Sequence, residues 1–166
     1  EKYYAPRHAA NFGIGGDRTQ HVLWRLQNGE LDGIKPKVVV LLIGVNNTPM
    51  EKDGKERNTV PEIVEGVGAV VKEIRTRLPK SKILLLGVFP YKQKGEPMRV
   101  KVDKINAGIS KLGRKKNVTY LNINKKFLGP DGTLSTEIMP DLLHPNEKGY
   151  QIWADAIEPT LARLLK

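Results

Sequence analysis

The sequence predicts an α/β fold: a doubly wound parallel sheet with helices on both faces, in three α/β/α layers. Two observations carry this. Apolar runs recur at residues 37–45 (KVVVLLIGV), 82–89 (KILLLGVF) and 117–123 (NVTYLNI). The first two are continuous rather than alternating, as strands covered on both faces require. Segments with helical spacing separate the runs, and strand–helix alternation is the signature of a parallel sheet built by crossovers. With 166 residues, the chain suits one domain able to bury its own core.

The elements follow in order. Residues 9–16 (AANFGIGG) predict a short first strand. The segment DRTQHVLWRLQNGEL predicts a helix with Asp17 as N-cap and Val22, Leu23 and Leu26 on one side. TVPEIVEGVGAVVKEIRTRLP predicts a second, with Thr59 as cap, Pro61 near the first turn, and acids early and bases late to match the macrodipole. Its stripe is Ile63, Val64, Val67, Val70, Val71, Ile74 and Leu78. A weaker helix covers residues 98–116. A last one covers 147–165, with Tyr150, Trp153, Ile157, Leu161 and Leu164 on its stripe. The longest irregular stretches, 46–58 and 90–97, both follow a strand's C-terminal end, where doubly wound folds hold their ligands. The first is rich in charge and reads as a mobile rim.

Composition narrows the functions. There is no cysteine, which excludes disulfides, thiolate catalysis and Cys-type zinc sites, and leaves the compartment open between cytoplasm and a secreted or periplasmic location. No run approaches the ~20 apolar residues of a membrane span, and EKYYAPRHAA lacks the layout of a signal peptide. The net charge is +10, concentrated between residues 92 and 126, where eleven Lys/Arg face only Glu96 and Asp103. Such a segment is either a patch for anionic surfaces or a solvated helix face. With only Tyr91, Tyr120 and Phe127 in it, base stacking has little support, and no nucleic-acid partner is expected.

Three polar groups follow strand ends. GIGGD, Gly13–Asp17, is a turn before a helix whose free N–H groups suit an oxyanion; taken alone, plain turn chemistry is the stronger reading. It is no dinucleotide fingerprint, because the G-x-G-x-x-G spacing fails at Arg18. IGVNNT offers Asn46, whose amide can donate to developing negative charge or close an Asx-turn. DLLHP sets Asp141 three residues before His144, with Pro145 restricting His144 to extended backbone. A carboxylate there can reach Nδ1 and leave Nε2 as a base, or the pair is a polar loop. The other histidines, His8 and His21, have no metal-ligand spacing.

Taken together, NFGIGGDRTQHVLWRLQNGELDGIKPKVVVLLIGVNN and DLLHPNEKGY resemble the SGNH (GDSL-type) serine hydrolase family, in particular the branch of platelet-activating-factor acetylhydrolase catalytic subunits and bacterial acetylesterases. The resemblance spans nearly the whole chain and implies a flavodoxin-like SGNH-hydrolase fold. It implies a short-chain acyl or acetyl esterase with no metal or organic cofactor, acting on a small-molecule ester of a lipid, sugar or metabolite, in a branch whose members often pair as dimers. Carried over residue by residue, Gly16 gives a backbone N–H to the oxyanion hole, Asn46 a side-chain N–H, His144 the general base and Asp141 its partner. Asn47 stands where many relatives have Asp, which is expected to alter local hydrogen bonding and not the chemistry.

The chain departs from the family in one respect. The nucleophile of the family is the serine of a Gly-Asp-Ser block ahead of the Gly block, and none of Ser81, Ser110 and Ser135 has Gly-Asp before it. Ser135 reads instead as the cap of a short turn. The expectation is a single SGNH domain over residues 1–166 whose first strand and serine lie upstream, and which is inactive without them. Two rival readings remain: a catalytically inactive hydrolase-like binding module, and an anion- or RNA-binding protein using the basic segment.

Overall fold

The computed structural model describes residues 4–166; the first three residues of EKYYAPRHAA lie outside them. Four helices and three strands alternate: α1 (Thr19–Gln27), β1 (Val38–Leu41), α2 (Val60–Arg77), β2 (Lys82–Leu86), α3 (Pro97–Ile109), β3 (Val118–Leu121) and α4 (Glu147–Leu165). Among the described residues the sheet has the order β1-β2-β3. Both pairings are parallel, with Val38 opposite Lys82 and Ile83 opposite Val118.

The central strand explains why its sequence is apolar without alternation. Ile83 and Leu85 face a core made with Leu26 of α1, Ile63, Val67, Val70 and Ile74 of α2, and Val102, Ile105 and Ile109 of α3. Leu84 and Leu86 face the opposite core, with Phe89, Ile123, Phe127, Met139, and Ile157 and Leu161 of α4. Three helices therefore cover one face and α4 the other, giving the three layers the sequence predicts. Fully burying each such aliphatic side chain is worth about 1.5–3 kcal/mol, so neither layer is dispensable.

Local signals hold where they are strongest. Thr59 caps α2 by accepting from Glu62 N–H, while Glu62 accepts from Thr59 N–H, a reciprocal box with Pro61 in the first turn. Asn146 caps α4 by accepting from Gly149 N–H. Ser135 accepts from Glu137 N–H, as a turn cap does.

Four expectations need correction. Residues 9–16 form no strand: they are exposed coil in which Asn11 Oδ1 accepts from Gly13 N–H, a local bond competing with any ladder. Asp17 is not the cap of α1. The helix starts one residue later, Arg18 takes the cap position with its N–H held by His21 Nδ1, and the Asp17 carboxylate pairs with Arg25 at 2.6 Å instead. The weak helix does not run to residue 116; α3 ends at Ile109 and tightens into a 3-10 turn, Ser110–Arg114. The strands are also shorter than the apolar runs. β1 stops at Leu41 and the chain reaches a 3-10 turn, Val45–Asn47, through Gly44 at φ 121°.

Candidate functional site

In a parallel sheet every strand points the same way, so the loops after β1 and β2 leave from one edge. Asn46 lies in the first of these. The second, after β2, is drawn tight by Asn106 of α3, whose side chain accepts from Val88 N–H at 2.7 Å and donates to Val88 O at 2.8 Å. Further along that loop, Lys92 N–H donates to Leu142 O at 3.0 Å, which ties the segment carrying Asp141 and His144 to the same edge.

That segment is a compact turn. Asp141 Oδ1 accepts from the N–H groups of Leu143 (3.0 Å) and His144 (2.7 Å), and Leu142 takes φ 60° to let the chain fold back. The fold-back brings Asp141 Oδ2 within 2.5 Å of His144 Nδ1. The His144 backbone N–H, then its ring, hold the Asp141 carboxyl far below the usual carboxylate range. An ionised carboxylate only accepts, so Nδ1 carries the proton and the free lone pair of a neutral imidazole sits on Nε2. The side chains are 76% and 55% exposed for His144 and Asp141, so the ring edge carrying Nε2 is open to an incoming reactant. A shallow hollow lined by Pro140, Asp141, His144, Pro145 and Asn146 lies beside it.

Gly16 and Asn46 form a second cluster. Gly16 is exposed and has φ 81°, a conformation that L side chains rarely adopt. Asn46 Nδ2 donates to the backbone oxygen of Asp17 at 2.9 Å, so the turn after β1 and the glycine turn before α1 touch directly. Beneath them Asn47 is 2% exposed. Its Oδ1 accepts from Thr19 N–H, and its Nδ2 lies within hydrogen-bonding range of Thr19 Oγ1, Gln20 Oε1 and Asn58 Oδ1. Asn47 is thus the polar node that fixes the start of α1 against the turn holding Asn46.

The structure joins Asp141 to His144 and joins the Gly16 turn to Asn46. The three serines are all engaged elsewhere: Ser81 Oγ with Pro36 O, Ser110 Oγ with Ala107 O and Ser135 Oγ with Glu137 N–H. Among the described residues the His144 ring has Asp141 as its hydrogen-bond partner and no hydroxyl on Nε2. No group of three or more His, Asp or Glu side chains there could hold a metal ion, and no helix is long and apolar enough to cross a membrane.

Some supporting residues escape sequence reasoning. The stretch 46–58 is no loose rim: after the Val45–Asn47 turn it folds into a hairpin in which Met50 and Glu56 bridge, Glu51 N–H donates to Lys55 O at 2.7 Å, and Arg57 N–H to Pro49 O at 3.2 Å. Lys101 of α3 anchors its base, donating to Thr48 O and Asn58 O and pairing with Glu56 at 2.6 Å, while itself only 7% exposed. With Arg99 (6% exposed), it shows that the basic segment is not wholly a solvated face. The available signal is positional, since Lys101 stands one turn from Ile105 on the apolar stripe of α3.

Residues 1–152 match the sequence model of the GDSL-like Lipase/Acylhydrolase family. Over 164 residues the chain is 42% identical to platelet-activating factor acetylhydrolase IB subunit alpha2 of Rattus norvegicus, covering 98% of this chain and 68% of that protein. In three dimensions it is similar to a GDSL-like lipase from Bacteroides thetaiotaomicron, with TM-score 0.80 at 17% identity over 98% of this chain and 79% of that one. It is also similar to an acetyl xylan esterase, with TM-score 0.72 at 22% identity over 90% and 78%. At such identities the structural likeness speaks for the fold.

Proposed function

The chain belongs to the GDSL-like lipase/acylhydrolase family, and on that premise we propose that it carries the acid–base pair and oxyanion donors of a serine esterase for short acyl esters. The observation that carries the reading is the 2.5 Å Asp141–His144 contact with Nε2 left free. This reading takes the nucleophilic serine from outside residues 1–166, since Ser81, Ser110 and Ser135 are engaged at turns and strand ends and none bonds the His144 ring.

In this reading His144 Nε2 removes the serine proton as Oγ attacks the ester carbonyl carbon. Asp141 holds the ring and stabilises the imidazolium. The carbonyl oxygen becomes an oxyanion that accepts from Gly16 N–H and the second N–H of Asn46 Nδ2, the first being held by Asp17 O. Collapse of the tetrahedral intermediate breaks the ester C–O bond, and the imidazolium passes its proton to the departing alcohol. Water, deprotonated by His144, then attacks the acyl-enzyme, and the serine leaves reprotonated with the carboxylic acid as product. The named activities of the relatives, on platelet-activating factor and acetyl xylan, favour an acetyl group.

Release of p-nitrophenol from p-nitrophenyl acetate by the full-length protein tests this. Turnover abolished by His144→Ala supports it; turnover that survives that change rejects it. The rival reading, a hydrolase-like binding module, draws on the occupied serine hydroxyls and predicts no turnover at all.

A further inference from the structure

The two oxyanion arms come from distant parts of the chain, and an ion triad spans them. Glu51, on the hairpin, lies between two arginines. Its Oε1 accepts from Arg57 Nε at 2.7 Å and lies 3.4 Å from Arg18 Nη1, while its Oε2 accepts from Arg57 Nη2 at 3.3 Å. Arg57 continues past the carboxylate: its Nη1 donates to the backbone oxygen of Asn46 at 2.9 Å. Arg18 is the cap residue of α1, two positions after Gly16. A chain of contacts therefore runs from the Asn46 backbone through Arg57 and Glu51 to the residue that opens α1 just after the glycine turn.

We propose that Glu51 is a positioning residue, which through Arg57 and Arg18 holds the Asn46 arm and the Gly16 arm at the spacing that a shared oxyanion needs. The inference rests on the esterase reading above, and the physical case is one of magnitudes. The three side chains are 20–40% exposed, and ion pairs of that kind contribute little to stability. Geometry is another matter. Oxyanion donors act at 2.7–3.1 Å, and a displacement of about 1 Å can cost on the order of 100-fold in rate. The hydrogen bond from Arg57, with the charge of Arg18, keeps the Glu51 carboxyl below its ordinary range, so the triad is intact wherever a histidine base works. The hairpin brings Glu51 to this place because Lys101 fastens its base to α3.

The test is Glu51→Gln in the full-length protein, with Lys55→Gln as control; Lys55 pairs with Asp53 at the hairpin tip and is 82% exposed. The expected result for Glu51→Gln is a kcat lower by about 10-fold, KM within twofold and melting temperature within about 2 °C. Glu51→Asp should recover part of kcat, and Lys55→Gln should leave it unchanged. Equal kcat in Glu51→Gln and the parent overturns the proposal, as does a loss that appears equally in Lys55→Gln. A second readout does not need activity: the 15N–1H resonances of Gly16 N–H and the Asn46 side-chain amide should both shift in Glu51→Gln and stay put in Lys55→Gln. If the parent hydrolyses no ester, the esterase reading falls and this readout decides the clamp; unmoved resonances reject it.

Discussion

The proposed base and the proposed oxyanion arms are built in opposite ways. Asp141 and His144 are three residues apart, exposed, and joined by bonds that all close within one turn. Gly16 and Asn46 are thirty residues apart in sequence and are brought together by bonds from α1, the hairpin and α3: Asn47 to Thr19 and Asn58, Arg57 to Asn46 O, and Lys101 to Thr48 O. A local device tolerates change in its surroundings, because its geometry is written in its own backbone. A tertiary device moves whenever any of its supports does. Substitutions in the first region should therefore alter chemistry without stability, while those in the second should couple the two.

Breaking the local device gives the largest effect. Asp141→Asn leaves a side chain of the same shape that no longer demands a proton on Nδ1. In Ser-His-Asp triads the wrong tautomer costs about 10⁴ in kcat, and a loss of at least about 10³ is expected here, from steady-state kinetics on the full-length protein. Since both side chains are mostly exposed, the melting temperature should move by no more than about 1–2 °C.

Removing the proposed oxyanion donor comes next. Asn46→Ala is expected to lower kcat by about 10²–10³ with little change in KM, because the bond forms with developing charge. An unchanged kcat would remove Asn46 from that role. Unlike Asp141→Asn, it also deletes the bond to Asp17 O, so a modest drop in melting temperature should accompany it.

Asn47→Ala strikes the supports alone. Truncation leaves the buried Thr19 N–H and the side-chain carbonyl of Asn58 without their partner, and an unsatisfied buried group costs about 1–3 kcal/mol. Denaturant unfolding should show that loss. Because the buried Asn47 amide is taken up by Thr19, Gln20 and Asn58, kcat should fall less than in Asn46→Ala; a fall as large would mean that the node, not the amide of Asn46, dominates the proposed oxyanion hole.

The same contrast between local and tertiary devices decides how much of the molecule is legible in its sequence. The sheet is legible because β2 is apolar at every position after Lys82, and Asp141–His144 because three residues of spacing nearly fix their contact. The Thr59 cap and the α4 boundaries are legible for the same local reason. What escapes is long-range. Asp17 has the chemistry of a cap, but Arg25, two helical turns on, captures its carboxylate. Residues 9–16 are the exception, a local miss: three glycines and Asn11 are poor strand formers, and Asn11 Oδ1 takes the Gly13 N–H. The partners of Lys101, Thr48 O and Asn58 O, and the bond of Arg57 to Asn46 O depend on where a hairpin lands against a helix, which no window of sequence encodes.

The smallest effect is also the sharpest test of the local device. The Asp141 carboxyl is held well below its ordinary value first by the His144 backbone N–H, then by the His144 ring, then by Leu143 N–H. Its folded affinity for protons is therefore lower than its unfolded one. The stability this contributes is present above the ordinary carboxylate range and is lost as pH falls through the depressed folded value. A 13C titration of the Asp141 carboxyl should find it still ionised at about pH 3.5, where ordinary aspartates are largely protonated. In His144→Ala the ring is gone but the backbone N–H that matters most remains, so the carboxyl should move only part of the way back. A full return to the ordinary value would mean that the ring alone orders this turn, and that the backbone bonds to Oδ1 follow from the acid–base pair instead of creating it.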